Sequence, residues 1–130
     1  MGSEAVSATR PASKLRETPA LDRWPELRPF LARVLTAYPD QLEAVLLYGS
    51  RARGEEHSES DYDLAIVLNG EFDAYEQVSK LVSLAYDELM NDKMFVEAVP
   101  VRLDDLRAQG RRYTKNVMID GIALIGDKPA

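Results

Sequence analysis

The chain contains no cysteine and a single histidine, His57. Disulfides and thiolate metal sites are therefore excluded, and so is a zinc centre built mainly from imidazoles. Any metal ion must be held by oxygen ligands, which points to magnesium or manganese. Positive charge is also scarce, with a formal net charge of −6. Neutralising a phosphate backbone needs a basic surface, so no direct DNA binding is expected. A nucleotide carries few phosphates and asks only for local positive charge. Long apolar runs are missing too. The longest are pieces such as "AVLLY" and "LAIVL", far short of a membrane span, and no membrane association is expected. No apolar signal core stands near the amino terminus, so the expected location is cytoplasmic.

What is present is the composition of a globular domain: 130 residues, 45% of them apolar and 29% charged. That length makes one domain with a sizeable core. Residues 1–20 mix Ser, Thr, Pro, Ala and charges without periodicity and read as a flexible tail, leaving residues 21–130 as the domain. Leu27, Leu31, Val34, Leu35 and Tyr38 share one helical face, and "YPD" ends that helix. "LEAVLLY" (42–48) is a short continuous apolar run, predicted as a strand buried on both faces. "DYDLAIVL" (61–68) is the second predicted strand. Asp73 and Glu76 are placed for a capping box, opening a helix to about Met90 with Tyr75, Val78, Val82, Ala85 and Leu89 as its core stripe. "MFVEAVPV" (94–101) is a third strand, its Pro100 indicating an edge or a strand end. Two short helices around Gly110 and a closing strand "GIALIG" complete the pattern. The expected class is α/β (α+β), a small mixed sheet flanked by helices.

Between the first two strands lies "GSRARGEEHSESDYDLAIV", Gly49 to Val67. Strand periodicity puts Asp61 and Asp63 on one face, where two carboxylates repel unless a cation sits between them. Asp-X-Asp alone is common by chance; its position after a Gly-Ser corner is what sharpens it. Gly49 permits a sharp turn and close approach of backbone to a ligand, and Ser50 offers a hydroxyl and an N–H to a phosphate oxygen. Arg51 and Arg53 add local positive charge, and arginine can grip phosphate with two parallel bonds. The bland alternative for both arginines is a solvated surface. Gly49 and Gly54 have P-loop spacing, but Glu55 and Glu56 stand where Lys and Ser or Thr are required, so this is a different phosphate site. His57 reads as a solvated loop residue. Arg111, Arg112 and Lys115 read equally as nucleotide contacts, partner contacts or a solvated helix face.

"GSRARG", five residues, then "SDYDL" resembles the signature of the DNA polymerase β-like nucleotidyltransferase superfamily, above all its minimal nucleotidyltransferases, the MNT proteins. Ten residues separate Ser50 from Asp61, as the family pattern asks, and the order of elements extends the likeness over residues 24–126. The resemblance implies transfer of a nucleoside monophosphate from a nucleoside triphosphate, ATP foremost, to a hydroxyl. It implies Asp61 and Asp63 as catalytic ligands of Mg²⁺ or Mn²⁺, and a third carboxylate on a neighbouring strand. The matching position is Glu97, where family members more often carry Asp; glutamate reaches one methylene farther. Gly49, Ser50, Arg51 and Arg53 are the implied nucleotide-binding residues.

With the tail set aside about 110 residues remain, so the acceptor is expected from another molecule. The resemblance to MNT proteins implies the antitoxin of a HEPN/MNT toxin–antitoxin pair, forming a hetero-oligomer and adenylylating a tyrosine of its HEPN toxin. Two alternatives stand beside it. One is a non-catalytic module that neutralises its partner by occlusion. The other is a small-molecule nucleotidyltransferase of the aminoglycoside-modifying type.

Overall fold

The computed structural model describes residues 15–55 and 61–130, so His57 and most of the expected tail lie outside the described residues. Two short 3-10 turns, Pro19–Arg23 and Pro25–Leu27, lead into helix α1, Arg28–Ala37. Then follow β1 (Leu42–Tyr48), α2 (Gly49–Arg53), β2 (Tyr62–Leu68), α3 (Ala74–Leu84), α4 (Tyr86–Asp92) and β3 (Val96–Arg102). Helices α5 (Leu103–Ala108) and α6 (Arg112–Asp120) precede β4, Ile122–Gly126. Among the described residues the strands form one sheet in the order β3-β2-β1-β4. β1 is antiparallel to both β2 and β4, whereas β2 and β3 are parallel, so the sheet is mixed as expected.

The central strands are apolar at nearly every position because helices cover both faces. Leu64, Ile66 and Leu68 of β2 join Leu27, Phe30, Leu31, Val34 and Leu81 in the larger core. Their alternate neighbours Ala65 and Val67 pack with Ala44, Leu46, Leu106 and Val117 under α5 and α6. The second face has smaller residues and a thinner core. By strand alternation Asp63 belongs to that second face. Pro100 does lie on an edge strand, where its missing N–H leaves no gap in the interior of the sheet.

Residues 15–20, expected in the tail, are tied to the sheet. The Thr18 amide donates to Leu124 O at 3.0 Å, the Gly126 amide donates to Arg16 O at 2.9 Å, and Glu17 bridges Ile125. Leu15 is buried. The unpaired outer side of β4 explains this: it offers backbone groups that a polar segment of no obvious periodicity can satisfy.

The helix after β2 departs from its expected shape and orientation. Asp73 caps it, accepting from the Glu76 amide at 3.1 Å, but the reciprocal half of the capping box is absent. The helix breaks at Ala85, and α4 resumes at Tyr86. Of the expected core stripe only Ala85 is buried; Tyr75 is 81% exposed, Val82 64%, and Val78 and Leu89 are exposed as well. The inward face is built from Gln77, Lys80, Leu81, Leu84 and Glu88. Tyr38 Oη donates to Gln77 Oε1 at 2.8 Å, and Lys80 Nζ donates to Ala37 O at 3.1 Å while sitting 4.2 Å over the Tyr38 ring. Glu88 is buried against Arg33, whose Nε also donates to Leu84 O at 3.1 Å. Apolar periodicity pointed to the wrong face because the tertiary contacts to α1 are largely polar and those polar groups are satisfied.

This orientation predicts an asymmetry between neighbours. Leu81→Ala should cost about 2–5 kcal/mol by opening a cavity, whereas Val82→Ala should cost under ~0.5 kcal/mol. Urea unfolding of both variants measures it, and the reverse ranking would restore the expected stripe.

Candidate active site

The end of β1 and the start of β2 are held side by side, with Tyr48 opposite Asp63. Between them the chain must leave β1 without colliding with Asp63, and Gly49 makes that possible. Its φ is +76°, and a Cβ there would stand 2.3 Å from Asp63 Oδ2. The left-handed backbone is what asks for glycine here, and a Cβ would in addition make the Asp63 carboxylate turn aside. Gly49 opens the single-turn helix α2, which ends at Gly54 (φ +74°), with the Glu55 amide donating to Ser50 O at 2.9 Å. A short helix therefore starts at Gly49, directly against the first carboxylate strand.

Asp63 also pairs across the sheet with Glu97, its register partner on the parallel strand β3. Paired residues of adjacent strands project to the same face, so the two carboxyl groups are neighbours. Asp61 is exposed and lies one residue ahead of β2. Burial pushes the Asp63 carboxyl above the usual aspartate range, the negative charges of Glu97 and Asp61 push it further, and Arg53 pulls it partly back. Three acidic side chains thus share one field, as sequence and register placed them, and the ionised form of the central one is disfavoured.

The arginines are placed less simply. The Arg51 guanidinium stacks 3.8 Å over the Tyr62 ring. Tyr62 is itself buried and donates its hydroxyl to Glu26. Arg53 donates to Glu55 at 3.0 Å and to Asp120 at 3.2 Å, bracing α2 against α6. Arg53 lends its charge to Asp63 while its Nε and Nη1 are engaged by carboxylates, whereas Arg51 is placed by its stacking on Tyr62, a residue of the opposite face.

Two tyrosines escaped sequence reasoning. Tyr48 and Tyr113 meet edge to face, 5.6 Å between ring centroids. Burial raises the pKa of each phenol, and the charges of Asp63 and Glu97 raise both further, which places them beside the carboxylates. Tyr48 adjoins Gly49 and was within reach of a motif reading. Tyr113 is brought in by α6 alone, and nothing local in the sequence announces it. Tyr113 also lines a cavity of about 490 Å³ with Phe72, Pro100, Arg102 and Arg111. Of the basic cluster on α6, Arg111 is thus at a cavity wall, while Arg112 and Lys115 are exposed. A second cavity of about 530 Å³, between residues 15–19 and 126–130, touches none of these groups.

An oxygen-only set of acidic side chains suits a hard divalent ion. Among the described residues no three of the potential ligands converge tightly around one point. The fit therefore rests on donor chemistry and on the crowding of like charge at Asp63, which a cation relieves.

The sequence profile of the family described as "Polymerase beta, Nucleotidyltransferase" matches residues 31–129. Among solved structures, a protein from Sulfolobus solfataricus assigned as a nucleotidyltransferase superposes with a TM-score of 0.56 at 20% identity, covering 78% of both chains. A toxin–antitoxin crystal structure with AMP-PNP superposes with a TM-score of 0.50 at 25% identity, over 76% of this chain and 73% of that one. A variant of the toxin–antitoxin MntA–HpeT gives a TM-score of 0.48 at 23% identity, over 75% and 71% of the two chains. No curated protein sequence matches the chain.

The strain at Asp63 predicts a stability signature. Its folded pKa lies above the unfolded value, so the folded state binds the proton more tightly, and stability from this group is lost as pH rises through the raised pKa. Without added metal, Asp63→Asn should raise the melting temperature at pH 7.5 by about 1–4 °C. The two proteins should converge as pH falls towards the ordinary aspartate range. Thermal melts across pH check this; an asparagine variant that is less stable at neutral pH contradicts it.

Proposed function

The chain belongs to the polymerase β nucleotidyltransferase family, and from that premise we propose that it transfers AMP from ATP to a hydroxyl of a partner protein. The observation that carries the proposal is the crowding of Asp63 against Gly49 on one side and Glu97 on the other, with Asp61 adding its charge. Uncompensated, such an arrangement is unfavourable; next to a phosphate-sized turn it has a use.

In this reading Gly49 and Ser50 receive the β- and γ-phosphates at the start of α2, so that the α-phosphate comes to lie before the carboxylates. Asp61 and Asp63, joined by Glu97, hold Mg²⁺ or Mn²⁺, which supplies charge neutralisation at the α-phosphate and the leaving pyrophosphate. The acceptor oxygen forms a bond to the α-phosphorus as the bridge from the α- to the β-phosphate breaks. The acceptor's proton passes to a carboxylate, for which Glu97, exposed and beside Asp63, is best placed. Arg51 and Arg53 contribute positive potential near the phosphates. Arg53, already bonded to Glu55 and Asp120, serves first to hold α2 in place.

The acceptor is taken to be a tyrosine of a HEPN toxin, with this chain as the antitoxin. Support comes from the "GSRARG…SDYDL" resemblance to MNT proteins and from the likeness to a toxin–antitoxin solved with AMP-PNP, a non-hydrolysable ATP analogue.

Incubation with α-labelled ATP, magnesium and the co-expressed partner tests the proposal. Label should appear on the partner and fall by at least about 100-fold with Asp61→Asn. Tight partner binding with no label at all would leave occlusion as the mechanism, and label confined to an added aminoglycoside would move the chain to the small-molecule transferases.

A further inference from the structure

The apolar face of α3 and α4 has no counterpart in the chain's own packing. Tyr75, Val78, Val82, Tyr86, Leu89 and Met90 follow one another at helical spacing and all are exposed. The break at Ala85 does not scatter them, because the Ala85 amide still bonds Leu81 O and the Leu89 amide bonds Ala85 O. The inner side of these helices is occupied by the bonds to α1, so the apolar side cannot be turned inward without breaking Arg33–Glu88, Tyr38–Gln77 and Lys80–Ala37. Together with Phe95, 55% exposed, the patch offers on the order of 700 Å². Monomeric proteins rarely leave a contiguous apolar patch beyond a few hundred Å², and one partner of a standard interface gives up about 800 Å².

Two features say what covers it. The first is continuity with the active site. The Phe95 carbonyl accepts from the Tyr62 amide at 3.0 Å, and Tyr62 stands between Asp61 and Asp63, so the end of the patch is one residue from each of them. The second is charge. Glu76 and Asp87 flank the stripe on one side and Asp92 stands at its end, three acids against Lys93 and Lys80, whose ammonium is turned to Ala37 O. A second copy of this chain would set acid against acid, and an anionic lipid surface would be repelled in the same way.

From these features we infer that the α3–α4 face is the docking surface for the protein that brings its hydroxyl to Asp61 and Asp63. That protein presents an apolar face rimmed by lysine or arginine. The inference deepens the proposed function and rests on it for the acceptor; the docking itself is independent of catalysis. Tyr75, Val82 and Tyr86 form the centre of the contact, where large, water-excluded side chains carry most of the binding energy. Glu76 and Asp87 supply rim charges that steer the approach. The same surface then fixes both affinity and which hydroxyl reaches the carboxylates.

The probe is the HEPN-domain partner of the proposed function, co-expressed with this chain and purified as a complex, with binding read by calorimetry and transfer by α-labelled ATP. Val82→Asp should weaken the complex by about 30-fold or more, and with it the labelling, while binding of ATP with magnesium to the isolated chain stays as in the wild type. Asp61→Asn should do the opposite, keeping the complex and losing the label. A complex weakened by Val82→Asp in a system that shows no label with any variant supports the docking surface and rejects the transfer. An unchanged complex with both Val82→Asp and Tyr75→Ser overturns the inference, as does failure of the wild-type chain to bind that protein. Dimers of the isolated chain that Val82→Asp converts to monomers, or binding to phosphatidylserine vesicles that Val82→Asp abolishes, overturn it in favour of self-association or a lipid surface.

Discussion

A carboxylate oxygen of Asp63 occupies the space that a side chain on residue 49 would need. From this one steric constraint the rest of the site follows. Because Gly49 has no Cβ, α2 can begin directly on the last residue of β1 and lie against β2 rather than swing away from it. The start of α2 then lies against β2 instead of a loop's length away. The antiparallel register of β1 and β2 sets which aspartate meets the glycine, and the parallel register of β2 and β3 brings Glu97 to the same place. A slip of one residue in either pairing would send a carboxylate to the opposite face, into the larger apolar core.

The site is therefore built by the sheet and only decorated by loops. Asp63 and Glu97 sit on strands, on the face where Ala65 and Val67 leave a thin core beneath α5 and α6. Burial there costs the carboxyl part of its hydration, which makes it receptive to a cation. α6 contributes from a distance: Asp120 receives Arg53, and Tyr113 closes against Tyr48. The exposed apolar face of α3 and α4 lies on the other layer, yet reaches the same strand ends through Phe95 and Tyr62. The acidic side chains and the exposed apolar face thus share one rim of the sheet while resting on different cores.

Much of this was legible in the residues. The strands at 42–48 and 62–68 are mostly apolar runs bounded by Gly, Asp and Asn, and of the edge or strand end that Pro100 allowed the sheet order decides for the edge. The Gly-Ser corner and the two aspartates could be named because their chemistry depends on short spacings, whereas Glu97, far along the chain, was named only through the family resemblance. The α3 face was misassigned for a definite reason. Periodicity marks which side of a helix is apolar, whereas burial depends on what lies opposite, and opposite α3 stand the end of α1 with its open carbonyl and Arg33. Polar residues hold the side turned to α1 by being hydrogen-bonded, and the apolar ones are left exposed.

By itself the sequence determined the local matters: where the chain is extended, where it must turn, and that two aspartates follow a glycine corner closely. Such features are set by backbone sterics and by interactions a few residues long. Only tertiary structure decided that Glu97 faces Asp63, that Tyr113 and Asp120 return to α2, that residues 15–18 join the sheet, and that Tyr75 and Val82 face outward. Each of these joins groups far apart along the chain or sets polar against apolar burial, and only the folded arrangement of neighbours fixes which contact is made.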